Sequence, residues 1–211
     1  MIYAVDCWDG DDGEPLIYHG HTLTTRILFR DVVTACQKYA FEKSDFPLIF
    51  SIENHCSVKQ QVMFECIIYN PLCDVQDVMA DHLINILGDM LFVHNINDEE
   101  EHAMPSPMDL RKKVLVKAKK LPPGATSNED ADDDNEDNDE VDEANKKHPK
   151  KLSKKLSDLV NYIHAVHFPG FEERGKFYHM SSFGESKTSA ILADPERNVK
   201  FVDYNVKQIS R

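Results

Sequence analysis

No stretch of about 18 consecutive apolar residues occurs, so no segment has the length and apolarity of a membrane-crossing helix. The first residues, Met1-Ile2-Tyr3-Ala4-Val5-Asp6, lack the basic start and long apolar core of a secretory signal. Cysteine follows no framework spacing: there are 5, an odd number, with no C-x-x-C pair, and Cys66 and Cys73 stand too far apart to form one. These cysteines read as reduced thiols of a cytosolic protein. Basic residues are absent from 129–143, which holds eleven carboxylates. That block supplies most of the net charge of −13, and the remainder of the chain is close to neutral. The acidic balance argues against general nucleic-acid binding. The block is also no EF-hand, because no glycine stands at the sixth position of any D-x-D-x-D start.

What is present reads as alternating strands and helices. Residues 1–23 contain two short apolar runs separated by a turn at Asp9-Gly10-Asp11-Asp12-Gly13. Each run ends in polar residues, which puts Asp6 and His19 near strand ends. Residues 27–43 have the helical spacing of apolar positions, with Asp31 early. Residues 47–52 form a continuous apolar run suited to a parallel strand buried on both faces, and it ends in Glu53-Asn54-His55. A second helix is expected over 78–91, with Gly88 near its C-cap. Residues 114–119 read as a strand on which Lys117 and Lys119 share one face. A helix is expected over 185–193, and 199–210 reads as the approach to a further strand. Strand, helix, strand order indicates βαβ units and a parallel sheet. Composition predicts disorder for the acidic block and the lysines after it.

Four blocks carry a family resemblance in one order: DCWDG with EPLIYHGHTLT, then SIENHC, then LVKAKKL, then MSSF. Together they resemble the catalytic region of eukaryotic phosphoinositide-specific phospholipase C. The resemblance implies a TIM (β/α)8 barrel split by an acidic linker. With 211 residues against roughly 250 for a full barrel, the expected architecture is an incomplete one. Residues 1–122 correspond to the X-type half, 123–155 to the linker and 156–211 to the start of the Y-type half. Residues 62–76 read as an insertion, since the resemblance runs almost directly from Gln60-Gln61 into the second helix.

The resemblance further implies calcium-dependent hydrolysis of phosphatidylinositol 4,5-bisphosphate to inositol 1,4,5-trisphosphate and diacylglycerol. That reaction needs hard oxygen ligands for the metal, neutralisation of developing phosphate charge and groups that exchange protons. Asp6 and Glu53 match calcium ligands, and His19 matches a catalytic histidine. Lys117, Lys119 and Ser182 match headgroup contacts, and Arg211 matches a further one. His21, Asn54 and His55 lie beside these residues and read as supporting them. Taken singly, an aspartate at a strand end more often caps a turn, and two lysines more often form a solvated edge.

The chain also departs from the pattern. Ala4 stands where the family has a glutamate, and the Ser-His-Asn segment that supplies a first histidine and an asparagine ligand has no counterpart. The calcium site is therefore expected to be weak and turnover impaired. The alternative is a regulator that binds inositol phosphates or phosphoinositides without turnover. The expected partner is a phosphoinositide headgroup at a membrane surface, with no nucleic acid, and the expected location is cytoplasmic and peripheral to membranes.

Overall fold

The computed structural model describes residues 1–20, 22–57, 74–96, 103–122, 124–125, 152–168, 170–171 and 175–209. Most of the expected insertion, the acidic block, His21 and Arg211 lie outside them. In chain order the elements are β1 (Ile2–Asp9), β2 (Pro15–Ile17), β3 (Ile27–Leu28), α1 (Phe29–Tyr39), β4 (Leu48–Asn54), α2 (Val75–Leu87) followed by a 3-10 turn (Gly88–Met90), β5 (Val114–Ala118), α3 (Lys154–Asp158), β6 (Val160–Ala165), β7 (His179–Met180), α4 (Glu185–Ala193) and α5 (Pro195–Ile209).

The seven strands form one sheet in the order β3-β2-β1-β4-β5-β6-β7. β1, β4, β5, β6 and β7 run parallel. β2 and β3 are antiparallel additions at one end. Among the described residues the sheet does not close, and β3 and β7 are its edges, as in an incomplete α/β barrel. The antiparallel β2 departs from the parallel sheet that the strand, helix, strand order indicates. Five residues between β1 and β2 suffice for a hairpin, whereas a parallel return needs a crossover of a dozen or more. Among the described residues no helix is long and apolar enough to cross a membrane.

Alternation along each strand divides the sheet into two faces. Val5 and Cys7 of β1, Leu48, Phe50 and Ile52 of β4, and Val114, Val116 and Ala118 of β5 face α1 and α2. With Phe29, Val33, Met79 and Leu83 from the helices they form the larger core. Leu115, Tyr162, Ile163 and Tyr178 form a smaller cluster with Leu110, against which Ile49 and Phe92 pack.

Local chemistry sets the helix ends. Asp74 Oδ1 accepts from the Gln76 amide at 2.9 Å, so α2 starts at Val75. Val75 and Gln76, the last residues of the 62–76 stretch, are thus the first residues of the helix. Gly88 ends α2 at φ +51°, a conformation glycine adopts without a Cβ clash. α1 is shorter than the 27–43 pattern, because Ile27 and Leu28 pair with β2 instead. The helix over 185–193 is present with those bounds. The strand approach expected over 199–210 is wrong: α5 occupies that stretch as far as Ile209, and Ser210 lies outside the described residues. Asp194 Oδ1 accepts from the Glu196 and Arg197 amides at 3.0 and 3.3 Å, and Pro195 follows the cap. Pro at the first helical position after a capping aspartate is a strong start signal, and it overrides the β-branched residues beyond.

Leu152 to Lys155, which composition assigns to the linker, belong to the fold. Ser153 Oγ accepts from the Leu156 amide at 3.2 Å and caps α3. The Ser153 amide donates to Oε1 of Gln76 at 2.9 Å, and Ser153 Oγ also donates to Asp77. Gln76 is fully buried and its Nε2 donates to the Cys56 carbonyl at 3.1 Å. One glutamine therefore satisfies backbone groups from β4's end and from α3's start. A buried polar side chain is tolerated only when bonded in this way.

Candidate functional site

The inner face of the parallel strands carries a polar cluster toward their C-terminal ends. This is the end at which α/β barrels place their chemistry. β1 and β4 pair so that Asp6 stands opposite Glu53 and Ala4 opposite Ser51. β4 and β5 pair so that Ser51 stands opposite Lys117. Val5, Cys7, Ile52, Val116 and Ala118 point into the large core. Asp6, Glu53, Ser51 and Lys117 consequently share the other face.

Lys117 is the best-defined member. Its Nζ donates to Ser182 Oγ at 2.8 Å and to Ser51 Oγ at 3.2 Å. Ser182 lies two residues past β7, so this ammonium spans the sheet from β4 to the chain after β7. Burial pushes the Lys117 pKa below that of an ordinary lysine, and the Glu53 carboxylate pulls it back up. A half-buried cation held by two hydroxyls and balanced by one carboxylate retains donor capacity for an anion. Ser51 escaped the sequence reading because it sits inside an apolar run. Its parity with Glu53, two residues on, is the signal that marks its face.

The other candidate residues are less gathered. Asp6 is half-buried and Glu53 exposed. Lys119 is exposed and lies one residue beyond β5 rather than within it. His19 is exposed, two residues past β2. Its Nδ1 shares a 3.3 Å hydrogen bond with the Gly20 carbonyl, and its own carbonyl accepts from Thr22 Oγ1 at 2.6 Å. The Tyr18 amide donates to the Asp6 carbonyl at 3.3 Å, which keeps the chain before His19 level with Asp6. Asn54 turns away from the cluster and accepts from the Cys56 amide at 3.1 Å.

The donor set suits a hard cation only in part. Two carboxylates in register supply the oxygen chemistry that calcium prefers, where six to eight oxygens are usual. Among the described residues no group of three or more His, Cys, Asp or Glu converges as a metal site. Ala4, one pleat before Asp6 on the same face, adds no oxygen.

Comparison with known proteins brings these observations together. A family model described as phosphatidylinositol-specific phospholipase C, X domain, matches residues 2–74 and 70–120. Human 1-phosphatidylinositol 4,5-bisphosphate phosphodiesterase delta-1 is 40% identical over 226 residues, covering 98% of this chain and 28% of that protein. The human eta-2 enzyme of the same name is 48% identical over 129 residues, 61% of this chain and 8% of that protein. The crystal structure of S. officinalis PLC21 superposes with a TM-score of 0.70 at 34% identity, over 97% of this chain and 24% of that one. The chain spans at most 28% of the length of these relatives.

Proposed function

Because the chain belongs to the phosphatidylinositol-specific phospholipase C X-domain family, we propose that its inner-face cluster binds the phosphorylated headgroup of a phosphoinositide and supports phospholipase C-type cleavage. The proposed substrate is phosphatidylinositol 4,5-bisphosphate, the lipid named for the relatives, met at a membrane surface from the cytoplasmic side. The observation that carries the reading is the Lys117 ammonium held between Ser51 and Ser182.

In this reading Lys117 donates charge-assisted hydrogen bonds to a ring phosphate, and Ser182 orients it through its hydroxyl. Lys119 and Arg211 add cationic contacts. Asp6 and Glu53 would hold calcium, which supplies neutralisation of charge developing on the scissile phosphate. His19 exchanges the proton that the attacking or leaving oxygen must lose or gain, a contribution of about 10²–10⁴ in rate. Two carboxylates, with alanine at position 4, support calcium binding only in the weak range of about 10⁻⁴–10⁻³ M. Turnover is accordingly low. The two-carboxylate set also favours the second reading, headgroup binding without turnover.

The test has two arms. Release of inositol trisphosphate is measured at saturating calcium for the parent chain and His19→Ala; release close to background is expected. Robust release that vanishes in His19→Ala would overturn the impaired-site part and leave the family reaction standing. Binding to vesicles containing phosphatidylinositol 4,5-bisphosphate is measured beside Lys117→Met. Binding that Lys117→Met leaves intact would sink the headgroup assignment.

A further inference from the structure

The chain has a single tryptophan, Trp8, two residues after Asp6 in β1. It belongs to neither hydrophobic cluster. Its neighbours are instead the residues that flank the candidate site. The Tyr18 ring stacks on it at 5.2 Å between centroids and 23° between planes. The His55 ring stacks at 4.2 Å and 11°. Trp8 Nε1 donates to the Tyr18 carbonyl at 3.1 Å. Gly20 approaches so closely that a Cβ there would stand 2.6 Å from Cζ2 of the indole. Real Cβ atoms do not come that near, and stacking plus the Nε1 hydrogen bond leave the ring little room to yield.

Tyr18 and Gly20 bracket His19, so Trp8 holds the backbone on both sides of it. His19 is exposed, and its ring hydrogen-bonds the carbonyl of its neighbour Gly20. The anchoring strands are short: β2 has three residues and β3 two. The Arg26 guanidinium lies 5.0 Å over the Tyr18 ring and closes the outer side of the stack. Through His55 the same indole reaches the chain just past Glu53.

We propose that Trp8 is a positioning residue, whose indole sets where His19 stands relative to Asp6 and Glu53, with Gly20 required because any side chain there would displace the ring. The catalytic meaning of this placement rests on the reading of His19 given above; the placement itself does not. Stacked aromatic pairs contribute beyond their buried area, and a displacement of about 1 Å at a reacting group can cost about 100-fold in rate.

The experiment uses the full chain and needs no substrate. Gly20→Ala retains Trp8 as the sole indole reporter. Three signals are followed: Trp8 emission, amide exchange at Tyr18, His19, residue 20 and Thr22, and the His19 ring carbon–proton resonance, assigned by its loss in His19→Ala. In Gly20→Ala the emission should shift, exchange at those amides should rise about 10-fold or more, and the His19 resonance should move. Exchange in β4 and β5 should stay unchanged. Trp8→Phe keeps a stacked ring and loses the Nε1 bond, so it should show a smaller rise. Combining the two substitutions should restore protection relative to Gly20→Ala, since a smaller ring admits the methyl group, a non-additivity expected only for residues in contact. Unchanged signals would overturn the proposal, as would exchange rising equally in β4 and β5, or a double variant no better protected than Gly20→Ala. Absence of turnover bears on the reaction proposed above and leaves these three signals to decide this one.

Discussion

On the face of β4 and β5 that meets α1 and α2, Leu48, Phe50, Ile52, Val114, Val116 and Ala118 are all at most 6% exposed. On the opposite face of the same two strands, Ile49 and Leu115 lie low against the smaller cluster, and Ser51, Glu53 and Lys117 follow toward the C-terminal ends. The two sets differ by one step along the chain. The first set is dry, so its contribution is transfer of apolar area plus close packing. The second carries charge into a half-wet site, where the Lys117 pKa falls because of burial. Stability and, in the function proposed above, recognition are divided between faces of the same strands, and substitutions one residue apart should have unlike consequences.

The largest effect should come from Phe50→Ala. Phe50 is fully buried, and truncating such a ring costs about 3–5 kcal/mol. Denaturant unfolding measures it, and a loss smaller than about 1 kcal/mol would break the division into a structural and a functional face. Next comes Lys117→Met. Hydrogen bonds to charged groups are worth about 1.5–3 kcal/mol, so vesicle binding should weaken about 10- to 100-fold. The unfolding midpoint should hold or rise, because a half-buried charge is removed. A midpoint that collapses would make Lys117 a structural residue.

Ala4→Glu sharpens the comparison from the inner side. It adds a third carboxylate on the face of Asp6, and calcium affinity should rise about tenfold, since affinity follows the number of charged ligands. Calorimetric titration with calcium alone reads this; no gain would mean that position 4 does not reach the Asp6–Glu53 pair.

The smallest effect is one of pH. Cys56 lies in the dry core, where burial first, then the Asp9 and Asp74 carboxylates, push its thiol up to about 12. The folded state keeps a proton that the unfolded chain gives up near pH 9.0, as an ordinary thiol does. This stabilisation is complete below about pH 9 and is lost as pH rises toward about 12. Cys56→Ala should flatten that alkaline decline. Lys117 and Lys120, both lowered by burial, tilt the curve the other way in parent and variant alike. The decisive quantity is therefore the difference between the two midpoints at each pH, and a constant difference from pH 8 to 11, about the range over which an ordinary thiol ionises, would contradict the assignment.

Much of this arrangement was legible before the fold was known. The apolar runs that became β4 and β5 were long enough to declare themselves, and so was the helix over 185–193. α5 was misread because the β-branched residues after 199 outweighed the Asp194-Pro195 start signal. The hairpin partner of β1 was legible as a strand, and the five-residue link before it already dictates an antiparallel return. Among the candidate residues, Asp6 and Glu53 could be placed at strand ends and Lys117 on one face of a strand, whereas Ser51 was hidden by its apolar neighbours. The Trp8 stack could not be read at all: its partners lie on β2's exit and β4's exit, and an isolated Trp in a strand reads as core.

The sequence by itself determined which residues share a face. Side chains alternate along a strand because of backbone geometry that is local to two residues, so Ser51 and Glu53 had to point one way while Phe50 and Ile52 pointed the other. Only the tertiary structure decided which strand faces which, and at what register. Lys117 meets Ser51 and Ser182, 66 and 65 residues away in the chain. Those meetings depend on the parallel pairing of β4 with β5 and on where β7 docks. Register is set by how whole strands bury their apolar faces together, a property of the packed sheet and of no single segment.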